Sequence, residues 1–117
     1  MDIETAARAL AELGNITRLQ IVRLLVRAGE EGLAIGEVQS HLGLPASTLA
    51  FHLRGLVAAG LVAQRRQGRV IRCTPKYAAL RETLAFVTEH CCAGVGAAPG
   101  QESEASAATC RRQAGAG

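Results

Sequence analysis

Residues 45–74, PASTLAFHLRGLVAAGLVAQRRQGRVIRCT, decide the fold. The first half carries Leu49, Leu53, Leu56 and Val57 at helical spacing over 46–59. Pro45 opens it and Gly60 closes it, at the positions where helices start and stop. The second half reads as two strands, 61–65 and 69–74, around Arg66-Gln67-Gly68, with Gly68 supplying the positive φ of a tight turn. A helix that can enter a groove, followed by a basic ribbon that can lie along a phosphate backbone, is an arrangement suited to holding duplex DNA.

Upstream, residues 3–13 repeat apolar side chains at Ile3, Ala6, Ala7, Leu10 and Leu13, a helical stripe. Gly14-Asn15 breaks it, and Asn15 can cap the next helix. That helix, 16–28, sets Ile16, Leu19, Val22 and Val26 near one face, with Ile21, Leu24 and Leu25 broadening it. It is expected to be almost wholly buried, with Arg18, Arg23 and Arg27 on the wet side. Leu33-Ala34-Ile35 reads as a short strand and 36–42 as a helix stopped by Gly43. Ser47 or Thr48 is expected to satisfy first-turn amides of helix 46–59. Downstream, Pro75 opens a last helix, 76–91, with Leu80, Leu84 and Val87 on one face.

The order is helix, helix, short strand, helix, helix, ribbon, helix. It predicts a mainly α fold with a small β-ribbon, a winged helix-turn-helix. The first and last helices are left over once that core is assembled. Their apolar stripes predict a homodimer, which would place two recognition helices about one duplex turn apart. Residues 1–92 are expected to form the DNA-binding and dimerisation domain. Residues 93–117, rich in Gly and Ala, are expected to be a disordered tail carrying Cys110.

The composition agrees with one small domain. Of 117 residues, 49% are hydrophobic, but the aromatics are only Phe51, Tyr77 and Phe86, so the core must be aliphatic. The net charge of +3 is modest; its distribution says more. No acid lies between Glu37 and Glu82, a span that holds Arg54, Arg65, Arg66, Arg69, Arg72, Lys76 and Arg81. Such a run makes a local field that attracts polyanions. The N-terminus has Asp2 and Glu4 and no apolar leader core, and no apolar run approaches a membrane span. These features predict a cytoplasmic protein with no membrane partner. There thiols stay reduced, so Cys73, Cys91, Cys92 and Cys110 are expected to be free thiols or ligands.

Projected at about 100° per residue, helix 46–59 turns Leu49, Leu53, Leu56 and Val57 inward. Ser47, Ala50, Phe51 and Arg54 lie opposite, with Thr48 and His52 on the boundaries. Hydroxyls near the start of the helix can meet phosphates or base edges. Ala50 and Phe51 can touch a thymine methyl, and Arg54 can reach a guanine or a phosphate. Two structural readings compete: Phe51 packing in a core or dimer interface, and His52 held by a structural hydrogen bond. Arg65, Arg66 and Arg69 read as backbone or minor-groove contacts, with Arg72 directed elsewhere.

Cys91 and Cys92 are adjacent at the predicted end of the last helix, a pair that can clamp one soft, thiol-seeking atom. Cys110 follows on the tail, where closing the loop carries a modest entropic cost; it is a third ligand or an unused residue. Cys73 alternates with Ile71 and is expected to face the core. Tetrahedral zinc is not expected, because no paired-cysteine spacing exists and His41, His52 and His90 are scattered. A thiol enzyme would need an activated cysteine at a helix N-terminus, which is missing.

The stretches LGNITRLQIVRLL (13–25), STLAFHLRGLVAAGLV (47–62) and RRQGRVIR (65–72) together resemble the ArsR/SmtB family of metal-responsive repressors. The resemblance spans about residues 3–92. It implies a homodimeric repressor that leaves double-stranded operator DNA when an inducer binds. The family's CxCxxC arsenic motif is absent, since residues 35–42 are IGEVQSHL, and so is the Asp/His and His/Glu zinc site of the last helix. The sequence is similar instead to a variant with a Cys-Cys pair ending the last helix and a third Cys downstream. That variant implies release by trivalent arsenic or antimonite on Cys91, Cys92 and Cys110, although the third Cys usually lies closer than here. A methylated or aryl trivalent arsenical, which needs two thiolates, fits Cys91 and Cys92 alone. The alternative is a repressor answering thiol oxidation or persulfidation at the same cysteines.

Overall fold

A computed structural model describes residues 1–96 of the chain. Five helices and three strands follow in order: α1 (Ile3–Leu13), α2 (Ile16–Ala28), β1 (Leu33–Ala34), α3 (Ile35–Leu42), α4 (Ala46–Ala58), β2 (Val62–Gln67), β3 (Val70–Pro75) and α5 (Tyr77–Val87). The strands form one antiparallel sheet in the order β1-β3-β2. The expected mainly α winged helix-turn-helix is therefore the fold observed, with α3 and α4 as the helix pair and β2–β3 as the wing. Residues Met1–Leu84 make one compact unit, and the described residues from Ala85 onward belong to a second.

Local chemistry explains the helix ends. Asp2 Oδ1 accepts from Thr5 N at 2.7 Å and Asn15 Oδ1 from Arg18 N at 3.1 Å, so α1 and α2 each begin on a side-chain cap. Helix α3 has half a capping box: Ala34 offers no acceptor, but Glu37 Oε1 accepts from Ala34 N at 2.9 Å. Helix α4 ends in a Schellman turn, with Leu61 N donating to Leu56 O and Gly60 N to Val57 O, both at 3.0 Å. Leu56 and Leu61 are both buried, so the turn that stops the helix also feeds the core.

That core is aliphatic. Ile21 and Leu25 of α2, Val38 of α3, Leu49, Leu53 and Leu56 of α4, Leu61, and Val62 and Cys73 of the sheet form one buried cluster. Fully burying one such aliphatic side chain contributes about 1.5–3 kcal/mol.

Several expectations need correction. Helix α2 is not almost wholly buried: Ile16 is 79% exposed, and Leu19 and Val26 are also open to solvent. Ile35 starts α3 rather than ending β1, because β1 pairs with β3 only at Leu33 and Ala34. The ribbon is longer than expected. Gln67 pairs with Val70, which leaves a two-residue loop, Gly68-Arg69, with Gly68 at φ 62°. No side chain caps α4, so neither Ser47 nor Thr48 serves its first-turn amides. The last helix ends at Val87 rather than residue 91. Of its predicted apolar face only Leu80 packs on the core, while Leu84 and Val87 are each 61% exposed. Its fully buried position is Thr83, whose hydroxyl donates to Ala79 O at 2.7 Å.

Gly32, immediately before β1, lies hard against the backbone of β3. A Cβ there would overlap the Cys73 carbonyl oxygen and stand 2.6 Å from Thr74 Cγ2, at a φ of +69°. Gly32→Ala is expected to cost more than about 3 kcal/mol, against about 1 kcal/mol for removing the α2 cap with Asn15→Ala. Urea unfolding of the two variants measures both.

Candidate nucleic-acid interface and cysteine site

The outer face of α4 is set by its inner one. With Leu49, Leu53 and Leu56 buried, Ser47, Ala50, Phe51 and Arg54 come out exposed. Thr48 and His52 are half-buried, at the boundaries expected of them. Val57 is the exception to the inward set, at 38% exposure. The Phe51 ring is 57% exposed, so it is not a core residue of this chain. His52 makes no structural hydrogen bond through Nδ1, which is buried without a partner among the described residues. Its ring instead meets Phe51 edge-on, with centroids 5.4 Å apart and planes at 68°.

The wing carries its charge outward. Arg65, Arg66 and Arg69 are exposed, and among the described residues neither they nor Arg54 has a carboxylate at ion-pair distance. Arg66 Nε donates to Gly68 O at 3.3 Å, which ties that side chain to the turn. Arg72 does turn elsewhere. Its Nε donates to Gln67 Oε1 at 2.9 Å, and its Nη1 lies 3.4 Å from the carbonyl oxygen of Glu31. Arg65 and Arg72 are cross-strand partners, so two like charges stand opposite each other. The polar contacts of Arg72 offset that repulsion and brace the ribbon.

A second cluster escaped the sequence reading. Glu12 of α1 and Arg18 of α2 form an ion pair at 2.9 Å with side chains 22% and 18% exposed. The N–H is not aimed for a hydrogen bond, since Glu12 Oε2 makes none, so the attraction is Coulombic. The same Arg18 guanidinium stands 5.5 Å from the Phe51 ring centroid. Gly55 of α4 makes room for the pair: a Cβ there would lie 2.6 Å from Glu12 Oε2. A glycine in the middle of an otherwise regular helix was the available signal, because it costs about 1 kcal/mol relative to alanine there and so invites a packing explanation.

The cysteine pair lies beyond α5, not at its end. From Thr88 the chain folds in short turns, with Cys91 N donating to Thr88 O at 3.2 Å and Ala93 N to His90 O at 3.1 Å. Thr88 Oγ1 approaches Ala85 O at 3.3 Å and competes for a carbonyl that the helix would use. His90 and Cys92 have φ of 60° and 62°, a conformation that non-glycine residues seldom adopt. The Sγ atoms of Cys91 and Cys92 lie 3.5 Å apart, both residues are exposed, and Cys92 is a free thiol. Cys110 lies outside the described residues. Among the described residues no group of three potential ligands converges on one point.

Cys73 faces the core as expected, fully buried and 3.8 Å from Gln64 Nε2. Burial raises its pKa above the ordinary 9.0, with the Gln64 contact acting weakly the other way. No helix among the described residues is long and apolar enough to cross a membrane.

A family model described as a helix-turn-helix domain matches residues 13–65. The uncharacterised HTH-type transcriptional regulator YceK of Bacillus subtilis is 35% identical over 81 residues, 69% of this chain and 75% of that protein. The homodimeric winged helix-turn-helix DNA-binding domain Mb0332 of Mycobacterium bovis, described as a possible ArsR-family regulator, superposes with a TM-score of 0.61. It is 27% identical, and the match covers 76% of this chain and 82% of that one. A protein described as a possible transcriptional regulator for arsenical resistance superposes with a TM-score of 0.60. It is 29% identical, covering 68% of this chain and 79% of its own.

The raised Cys73 pKa has a sign. The unfolded thiol ionises first, so the buried thiol contributes stability that is intact below the unfolded value of 9.0 and is lost as pH rises above it. Cys73→Ala should flatten the alkaline fall in stability, read as urea midpoints between neutral pH and the alkaline range. In the native protein an alkylating reagent should label Cys92 and spare Cys73.

Proposed function

Since this chain belongs to the ArsR family of winged helix-turn-helix transcriptional regulators, DNA-binding proteins and not enzymes, we propose that it is a homodimeric repressor released from its operator by a trivalent arsenical. The observation that carries the DNA half is the pairing of an exposed outer face on α4 with an arginine wing that has no acidic partner among the described residues. Ser47, Thr48, Ala50, Phe51, His52 and Arg54 enter the major groove, and Arg65, Arg66 and Arg69 hold backbone phosphates. The wing supplies sequence-independent affinity and α4 the discrimination.

Dimerisation runs through α1 and α5. Both carry large apolar side chains exposed to solvent, Ile3 at 72% and Leu10 on α1 and Leu84 and Val87 on α5. Covering that surface with a second copy also sets the distance between two α4 helices.

The inducer half rests on the two sulfurs 3.5 Å apart. With Cys91 and Cys92 both reduced, one arsenic atom can bond to both, leaving a third position for Cys110 or for an organic substituent. Antimonite fits the same three-sulfur form. Zinc prefers four ligands, and among the described residues no three His, Cys, Asp or Glu side chains converge on one point. Binding at the segment after α5 biases the dimer away from the spacing that fits DNA. A second reading, oxidation or persulfidation of the same cysteines, is favoured by the exposure of the free Cys92 thiol beside Cys91.

Fluorescence anisotropy on a promoter duplex in the presence of reductant tests both halves. Cys92→Ser should keep operator affinity within about twofold and abolish release by arsenite and phenylarsine oxide. A variant still released by either would place the inducer elsewhere. Cys110→Ser separates the forms: a two-sulfur site keeps its response to phenylarsine oxide, and a three-sulfur site loses much of its response to arsenite. Release by peroxide or by a polysulfide in parallel samples without reductant, with a matching mass change on Cys92, would favour the redox reading. Replacing Arg65, Arg66 or Arg69 by Ala should each lower the log–log salt slope by roughly 0.9.

A further inference from the structure

Phe51 presents a puzzle of energetics. A large ring that is 57% exposed on a groove-facing helix is free to rotate, and fixing it on docking costs roughly 0.5–1.5 kcal/mol. Yet the ring is not unsupported. The Arg18 guanidinium stands 5.5 Å from its centroid and the His52 ring meets it edge-on at 5.4 Å. Arg18 is itself fixed by Glu12 at 2.9 Å, and that pair sits in the notch left by Gly55, one helical turn beyond Phe51 on α4.

We propose that the Glu12–Arg18 ion pair is a positioning device for Phe51, holding its ring on the outer face of α4 as a pre-organised apolar contact for a thymine methyl group. The inference rests on the reading of α4 as the groove helix. Three features support it. Glu12 and Arg18 are mostly shielded, so their attraction is weakly screened and holds the guanidinium in one place. Arg18 Nε is buried with no hydrogen-bond partner among the described residues, so the guanidinium is not anchored there through that edge and its face is left for the ring. Gly55 lacks the Cβ that would push Glu12 and Arg18 out of the notch, at 2.6 Å from Glu12 Oε2 and 3.4 Å from Arg18 Nη2. Glu12 and Arg18 act through Phe51, and they also join α1 and α2 to the recognition helix.

The test uses the full chain and a duplex enriched by it from a randomised pool, followed by replacement of each dT by dU, which removes only the methyl. In the wild-type protein one thymine per half-site should show a penalty of about fourfold, the worth of one buried methyl. The penalty should vanish in Phe51→Ala and fall below about twofold in Glu12→Gln and in Arg18→Lys, which keeps the charge but loses the planar face. Affinity for random duplex and its salt slope should stay unchanged in Glu12→Gln and Arg18→Lys, a pattern that general destabilisation would not give. If no duplex is enriched, the groove-helix reading fails and takes this inference with it. If a duplex is enriched but no dU penalty depends on Phe51, or if the penalty survives intact in Glu12→Gln and Arg18→Lys, the inference alone fails. Should either variant not fold by circular dichroism, fluorine NMR of the wild-type chain carrying fluorophenylalanine decides. An ordered Phe51 ring upholds the proposal, and one as mobile as a free surface ring overturns it.

Discussion

Leu49, Leu53 and Leu56 are buried in one cluster with Ile21 and Leu25, and the placement of every exposed side chain on α4 follows from that packing. A helix has one rotation about its axis that buries three leucines at once. Once that rotation is taken, Ser47, Ala50, Phe51 and Arg54 have nowhere to go but outward. The Schellman turn at Gly60 then directs the chain straight into Leu61 and Val62, so the same core that orients the helix also plants the base of the wing. Interface and core are two sides of one constraint.

The wing shows how charge can be concentrated without unfolding a small domain. Arg65 and Arg72 face each other across the ladder, an arrangement that isolated strands would avoid. Arg72 is drawn into contacts with Gln67 and the Glu31 carbonyl, while Arg65, Arg66 and Arg69 remain outward. One arginine serves the fold, and the rest remain available to a polyanion. The third strand contributes here too, since β1 pairs with β3 and brings the Glu31–Gly32 carbonyls to Arg72.

Much of this was legible in the chain. Hydrophobic spacing predicted the helices to within a few residues, and the alternation of Ile71 and Cys73 predicted a buried Cys73. The errors share a cause. Expecting α2 to be almost wholly buried, or Leu84 and Val87 to pack like Leu80, treats every apolar side chain as core. Here large apolar side chains are exposed on α1, α2, α4, α5 and the wing alike. The end of α5 differs from the expectation because the chain passes at Thr88 into three-residue turns, Thr88 N to Ala85 O and Glu89 N to Phe86 O, a change that no spacing of apolar residues marks. The cysteine pair consequently lies in a turn with two left-handed residues, not on a helix.

By itself the sequence determined the winged helix-turn-helix, the exposed outer face of α4 and the basic ribbon, because periodicity and charge are properties of neighbours along the chain. Tertiary structure alone decided what stands against that face. Glu12, Arg18, Phe51 and Gly55 are spread over more than forty residues, and no periodic pattern links them. They meet only because three helices pack on one core, and an ion pair, a ring and a missing Cβ acquire a joint role only at contact distance.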